Sequence, residues 1–121
     1  MSDRARDRTN AIARVVAAAR AILTYQVGLS VGVARMRGAV SRLQHFETVE
    51  CTLFNEYMNA VGNLPIGSER LEWSPDVLRE KDKELERINT LYRDRVFDAA
   101  RELLDRFGSE ATEVRTRDRG R

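Results

Sequence analysis

The chain has 121 residues, of which 42% are hydrophobic and 33% are charged, and its formal net charge at pH 7 is +2. This length suits one domain that buries a substantial core. Seven glycines and two prolines leave little material for the turns of a β-sandwich, and a single cysteine excludes an intramolecular disulfide, so we expect an all-α protein from a reducing compartment.

Charge is distributed unevenly along the chain. Residues 1–46 contain eight arginines and two acids, residues 47–113 have a net charge of −7, and residues 114–121 have a net charge of +3. Basic helices packed against an acidic helix are the interpretation we favour for this asymmetry. The alternative is a nucleic-acid-binding surface on the basic amino-terminal half.

The amino terminus is rich in arginine, as a targeting presequence is, but Asp3 and Asp7 do not fit such a segment. The longest uncharged stretch, 21–34, is shorter than the roughly 20 residues that span a bilayer. We therefore expect a cytoplasmic protein with no signal peptide and no transmembrane helix.

Two helices are predicted in the first half of the chain. The first begins at a cap formed by Thr9 or Asn10 and ends near Gln26, and the second begins at a cap formed by Ser30. Apolar side chains recur three or four residues apart in both segments, as in amphipathic helices. They are Ile12, Val15, Val16, Ala19, Ile22 and Leu23 in the first and Val33, Met36, Val40 and Leu43 in the second.

A third helix is predicted between Thr48 and Gly62, although an extended conformation of part of this segment stays open. Its apolar stripe consists of Val49, Leu53, Phe54, Tyr57, Met58 and Val61. The segment 63–73 that follows is predicted to be a loop, because Pro65 restricts φ and Gly67 tolerates positive φ.

The strongest local signal marks the start of a long carboxy-terminal helix. Ser74 is a good N-cap residue, and Pro75 suits the first helical position. Gly108 is a typical helix stop. The predicted apolar stripe consists of Leu78, Leu85, Ile88, Leu91, Tyr92, Val96, Ala99, Leu103, Leu104 and Phe107, whereas residues 79–83 contain no apolar side chain and are expected to be exposed.

These elements predict a small bundle of three to four helices. Residues 1–8 are expected to be a flexible basic amino terminus, 9–108 a single helical domain, and 109–121 a disordered Arg-rich tail.

No catalytic or metal-binding signature is present in the sequence. Glu47 shares a helix face with Glu50 and Cys51, but one His and one Cys without a second motif indicate a surface cluster, not a ligand set. We assign no metal, no cofactor and no catalytic residue.

The loop resembles a family of short bacterial hypothetical proteins of unknown function. That family has a Leu-Pro-x-Gly motif, an Arg and a Trp before a terminal helix, and the matching residues here are Leu64, Pro65, Gly67, Arg70 and Trp73. The resemblance covers roughly the last half of the chain. The family has acids before Leu-Pro, whereas this chain has asparagines there and one carboxylate, that of Glu56. The resemblance implies a bacterial protein.

We weigh two interpretations of this loop and prefer the first. In the first, Trp73 anchors the loop between helices and Arg70 binds loop carbonyls or Glu56. In the second, Arg70, Trp73, Glu56 and Asn59 form a small binding pocket or a contact patch, since Trp and Arg are frequent hot-spot residues.

Three functions are weighed on these observations. The favoured one is a non-enzymatic protein-interaction module, of a partner-binding or immunity type, in which the long helix contacts another protein or forms a homodimer. The second is a small-ligand-binding protein or enzyme with a pocket near Arg70 and Trp73. The third is nucleic-acid binding through the first two helices, which the acidic half of the chain disfavours.

Overall fold

A computed structural model describes residues 2–66 and 68–119, the last eight of them by their backbone alone. Gly67 of the predicted loop and the end of the predicted tail, 120–121, lie outside the described residues. The described chain forms four α-helices and a short 3₁₀ helix, without a strand, so the all-α prediction is confirmed. In chain order they are α1 (Asp3–Leu23), α2 (Leu29–Leu43), α3 (Thr52–Val61), the 3₁₀ helix (Ser68–Glu72) and α4 (Pro75–Arg119).

The helices form a bundle in which α1 packs against both α2 and α4, and α3 packs against α2 and α4. Apolar side chains from all four helices meet in one core, whose burial is the main force that holds the bundle together. The largest fully buried side chains are Tyr57, Phe54, Phe107, Ile12, Met36 and Leu43. The apolar stripes predicted for α1, α2 and α3 therefore face the core, apart from the half-buried Leu23, Leu53 and Met58.

Helix α1 begins earlier than its predicted cap at Thr9 or Asn10. The Ser2 hydroxyl accepts a hydrogen bond from the Ala5 N–H at 3.2 Å, and Asp3 lies at the positive end of the helix dipole. The prediction that residues 1–8 are a flexible end is therefore wrong for 3–8, which form the first turns of α1.

Helix α2 begins at Leu29, after Gly28, and the prediction that Ser30 caps it is wrong. Ser30 lies inside the helix and is only 9% exposed. Gly32, one turn into α2, allows the end of α1 to approach closely, because a Cβ at this position would lie 2.7 Å from Cγ1 of Ile22.

The amino terminus of α4 follows its prediction. Ser74 is the N-cap residue, its hydroxyl accepts a hydrogen bond from the Val77 N–H at 3.4 Å, and Pro75 is the first helical residue. Leu78 and Leu85 are both half-buried, and Leu85 packs against the core.

The predicted helix stop at Gly108 is wrong, because α4 continues to Arg119. Gly108 has no positive φ, whereas Gly62, which ends α3, has a φ of 55°. Ala111 is buried one turn after Phe107, and Glu110 forms an ion pair with Arg8 of α1. These contacts extend the helix past the glycine, so the predicted disorder of 109–121 does not describe 109–111.

Within the described residues, no helix is both long enough and apolar enough to span a membrane.

Candidate functional site

Arg70 connects the loop to α4. Its guanidinium donates two hydrogen bonds to the carboxylate of Asp82, at 2.6 and 2.9 Å, and a third to the carbonyl oxygen of Pro65 at 3.1 Å. A bidentate interaction of this kind fixes the orientation of the guanidinium as well as its distance from the carboxylate. Arg70 therefore positions the 3₁₀ helix against the third turn of α4, and its acidic partner is Asp82, not Glu56.

Glu56 lies elsewhere on the molecule. Its carboxylate accepts a hydrogen bond from Arg95 at 3.0 Å. Asp82 and Arg95 are separated by about 20 Å of helix at 1.5 Å per residue, so Glu56 and Arg70 bind to distant parts of α4. Asn59 is exposed one turn further along α3.

The pocket predicted from Arg70, Trp73, Glu56 and Asn59 is therefore not assembled. None of the four residues lines the groove between α1 and α2 that is described below. Trp73 is half-buried, and its backbone N–H donates to the carbonyl of Arg70 at 3.2 Å, which continues the 3₁₀ turn. The loop residues Leu64 and Pro65 are half-buried and buried, respectively.

Apolar side chains are exposed around the start of α4. Leu71 on the 3₁₀ helix is 90% exposed, and Val77 and Leu91 on α4 are 42% and 73% exposed. Val77 and Leu91 lie on the same side of the helix, because 14 residues make nearly four complete turns. We call Leu71, Val77 and Leu91 the exposed apolar surface, in which Val77 and Leu91 are about 21 Å apart along α4. Leu91, a member of the apolar stripe predicted for α4, is therefore not part of the core.

The first half of α4 is only partly covered by the bundle. Its first buried side chain is Val96, and every described side chain from 75 to 95 is half-buried or exposed. With 45 residues α4 is about 68 Å long, whereas α1, with 21 residues, is about 32 Å long. One face of the first half of α4 is therefore free to contact another molecule.

Two polar side chains on the inner side of α4 have partners that the sequence analysis did not identify. Asp82 binds Arg70, and Asn89 accepts a hydrogen bond from the Tyr57 hydroxyl at 2.5 Å. Burial raises the pKa of Tyr57 to about 12, against smaller opposing effects of the Ser30 hydroxyl and the Arg93 charge. Tyr57 therefore stays protonated at neutral pH and donates to Asn89.

A cluster of charged side chains connects α1, the α2–α3 connection and α4. Arg8 forms ion pairs with Glu47 and with Glu110, the latter at 3.1 Å, and Arg106 lies 3.3 Å from the Glu47 carboxylate. The hydrogen bond from Arg8 is the main cause of a lowered pKa for Glu47, and its contact with Arg106 acts in the same direction. Arg106 also donates to the carbonyl of Thr48 at 3.0 Å.

Glu47 has a structural role in this cluster, which makes stability depend on pH. Because its pKa in the folded state lies below the ordinary value of 4.5, its contribution is fully present above that value and is lost as the pH falls through the lowered pKa. We expect Glu47→Gln to lower the free energy of unfolding at about pH 7 and the deficit to shrink as the pH is lowered to about 3. Denaturant unfolding at low salt measures both.

Glu102→Gln is the control for this prediction, because Glu102 is exposed and forms no ion pair among the described residues. A deficit for Glu47→Gln that is the same at both pH values would contradict the assigned role of the charge.

Among the described residues, no group of three or more His, Cys, Asp or Glu side chains is arranged to hold a metal ion. His45 is exposed, and its carbonyl oxygen accepts a hydrogen bond from Arg4 at 3.2 Å. Glu47, which the sequence analysis weighed as a ligand and set aside, is bound to arginines.

Comparisons of the chain with protein-family models, curated proteins and solved structures find no match. The resemblance of the loop to short bacterial proteins therefore stays a prediction, and the functional argument depends on the geometry of the chain itself.

Proposed function

We propose that this chain is a non-enzymatic, helical protein-interaction module that binds its partner through the exposed apolar surface at the start of α4. The observation that carries the proposal is the exposure of Leu71 and Leu91, at 90% and 73%. Large apolar side chains that remain in water are isolated on many proteins, but here Leu91 lies on the half of α4 that contains no fully buried side chain.

The loop supports this proposal by holding the surface in place. Arg70 binds both Asp82 and the Pro65 carbonyl, so the 3₁₀ helix that carries Leu71 is held against α4 before any partner arrives. A surface that is already ordered loses less conformational entropy on binding, which strengthens the complex. Arg70 thus acts in the proposal as a positioning residue, not as a contact residue.

The proposed class includes partner-binding and immunity-type proteins, and the partner is either another protein or a second copy of this chain. The single cysteine fits a reducing, cytoplasmic setting in a bacterial cell. The small-ligand or enzyme alternative receives no support from the geometry, because Glu56 and Arg70 are attached to distant parts of α4.

The proposal predicts that a photo-reactive amino acid at position 91 gives a covalent adduct with a defined protein, or with a second copy, in cells that express the chain. The same amino acid at position 109 is the control, because Ser109 is exposed on the other half of α4. The adducts are measured by mass spectrometry.

A charge at position 91 should then abolish the interaction. We expect Leu91→Glu to weaken binding of the captured protein at least about tenfold, as the loss of a hot-spot side chain does, while Ser109→Glu leaves it unchanged. Equal adducts at positions 91 and 109, or unchanged binding by Leu91→Glu, would reject the exposed apolar surface as the interface.

A further inference from the structure

A shallow groove of about 490 Å³ runs along the surface between α1 and α2. Its floor is formed by alanines of both helices and by Gly38, and its rim by Arg14 of α1 and by Arg35 and Arg42 of α2. We call it the α1–α2 groove. It shares no residue with the exposed apolar surface at the start of α4.

Gly38 has no packing role within the described chain. A Cβ added at Gly38 would meet no atom within 4 Å, whereas a Cβ at Gly32 would lie 2.7 Å from Ile22. Glycine inside a helix is destabilising relative to alanine, so a glycine that packs against nothing is unusual. The absence of a side chain at Gly38 keeps the groove open at its centre.

The arginines at the rim have no acidic partner in the part of the chain whose side chains are described. Among the described residues, Arg14, Arg35 and Arg42 form no ion pair. On the loop and α4 most arginines with described side chains form ion pairs, as Arg70 and Arg95 do with Asp82 and Glu56, whereas on α1 and α2 only Arg8 does. The groove therefore has an apolar floor between positive charges, and no acidic side chain of the described chain neutralises them. Such a groove is complementary to a ligand with an apolar face flanked by negative charges.

We propose that the α1–α2 groove binds an acidic amphipathic helix of a partner protein. Two helices whose contact residues are small approach each other closely. A floor of alanine and glycine therefore allows a third helix to pack closely against α1 and α2. Arg35 and Arg42 are about 10 Å apart along α2, which matches two carboxylates that lie seven residues apart on the incoming helix.

A nucleic acid is less complementary to the α1–α2 groove than an acidic helix is. A phosphate backbone binds to polar side chains and backbone N–H groups as well as to arginines, and nucleic-acid bases stack on aromatic rings. The residues that line the groove are alanines, glycine and arginines, without an aromatic ring or a polar amide or hydroxyl side chain. The apolar floor is matched by the apolar face of a helix.

The experiment is a selection from a display library of helical peptides, about 20 residues long, that have an Ala/Leu face and a randomised polar face. The full-length chain is the bait, and Gly38→Leu, which fills the groove from a position with free space above it, is used for counter-selection. Selected peptides are then measured by fluorescence anisotropy against the wild-type chain, Gly38→Leu, Gly38→Ala and Arg35→Glu/Arg42→Glu.

We expect Asp and Glu to be enriched at positions seven residues apart. Binding should weaken at least tenfold in Gly38→Leu and in Arg35→Glu/Arg42→Glu, and remain nearly unchanged in Gly38→Ala. Thermal unfolding of each variant verifies that it is folded.

Three results would overturn the inference: selected peptides without acidic enrichment, peptides that bind Gly38→Leu as well as the wild type, or a duplex DNA probe that binds in the groove and displaces them. The last result would show that the groove binds the phosphates of a nucleic acid. None of these results affects the proposed function, whose test depends on Leu91, and a failure at Leu91 leaves the groove experiment valid.

Discussion

Replacing Phe107 with alanine lowers the free energy of unfolding by about 3–5 kcal/mol, the usual cost of removing a buried phenylalanine ring. Phe107 is 2% exposed and belongs to the same core as Ile12 and Met36. The truncation removes apolar contacts and leaves a cavity that the rigid helices around it fill only partly. For a domain of this size the loss is a large fraction of total stability.

Leu91→Ala is the matched control for this prediction, because Leu91 is an apolar residue of the same helix but is 73% exposed. We expect its free energy of unfolding to stay within about 0.5 kcal/mol of the wild-type value. Urea denaturation followed by far-ultraviolet circular dichroism measures both variants. If Phe107→Ala were as mild as Leu91→Ala, the second half of α4 would not be part of the core.

Most of the fold could be predicted because its determinants are local. The apolar stripe of α2, with Val33, Met36 and Val40, lies on one face simply because a helix has 3.6 residues per turn. The Ser74 cap could be found in the same way, because a cap is formed within one turn of the chain. Neither prediction requires knowledge of what the helix packs against.

The end of α4 could not be predicted from local signals. A glycine such as Gly108 ends a helix when it adopts a left-handed conformation, but it is also tolerated inside a helix at a cost of about 1 kcal/mol. Here the buried Ala111 and the ion pair of Glu110 with Arg8 favour continuation. Arg8 is on the first helix, so this contact is visible only in the folded chain.

The bond from Arg70 to a loop carbonyl could be predicted, but its acidic partner could not, for a related reason. Arg70 has several acids within reach along the sequence, and only the fold shows that Asp82 is its partner. One signal was available: Asp82 is four residues after Leu78 and three before Leu85, so it lies on the inner side of α4. A charged residue among apolar neighbours on an inner face indicates a partner of opposite charge.

Two glycines of α2 should respond in opposite directions to the same substitution. We expect Gly32→Ala to lower the free energy of unfolding by about 1–3 kcal/mol, the usual cost of overpacking, because the new Cβ would lie 2.7 Å from Cγ1 of Ile22 and 3.2 Å from Cγ2 of Val27. We expect Gly38→Ala to raise it by about 0.5–1 kcal/mol, because alanine is the better helix former and the space above Gly38 is empty.

Each variant is the control for the other, since both make the same chemical change in the same helix and gain the same intrinsic helix propensity. Their difference therefore isolates the approach of α1 to α2 at Ile22 from the behaviour of the isolated helix. Chemical denaturation of the two variants and the wild-type chain measures it. Stabilisation by both substitutions would show that α1 and α2 are not in close contact at Gly32. Destabilisation by Gly38→Ala would show that the space above Gly38 is not free.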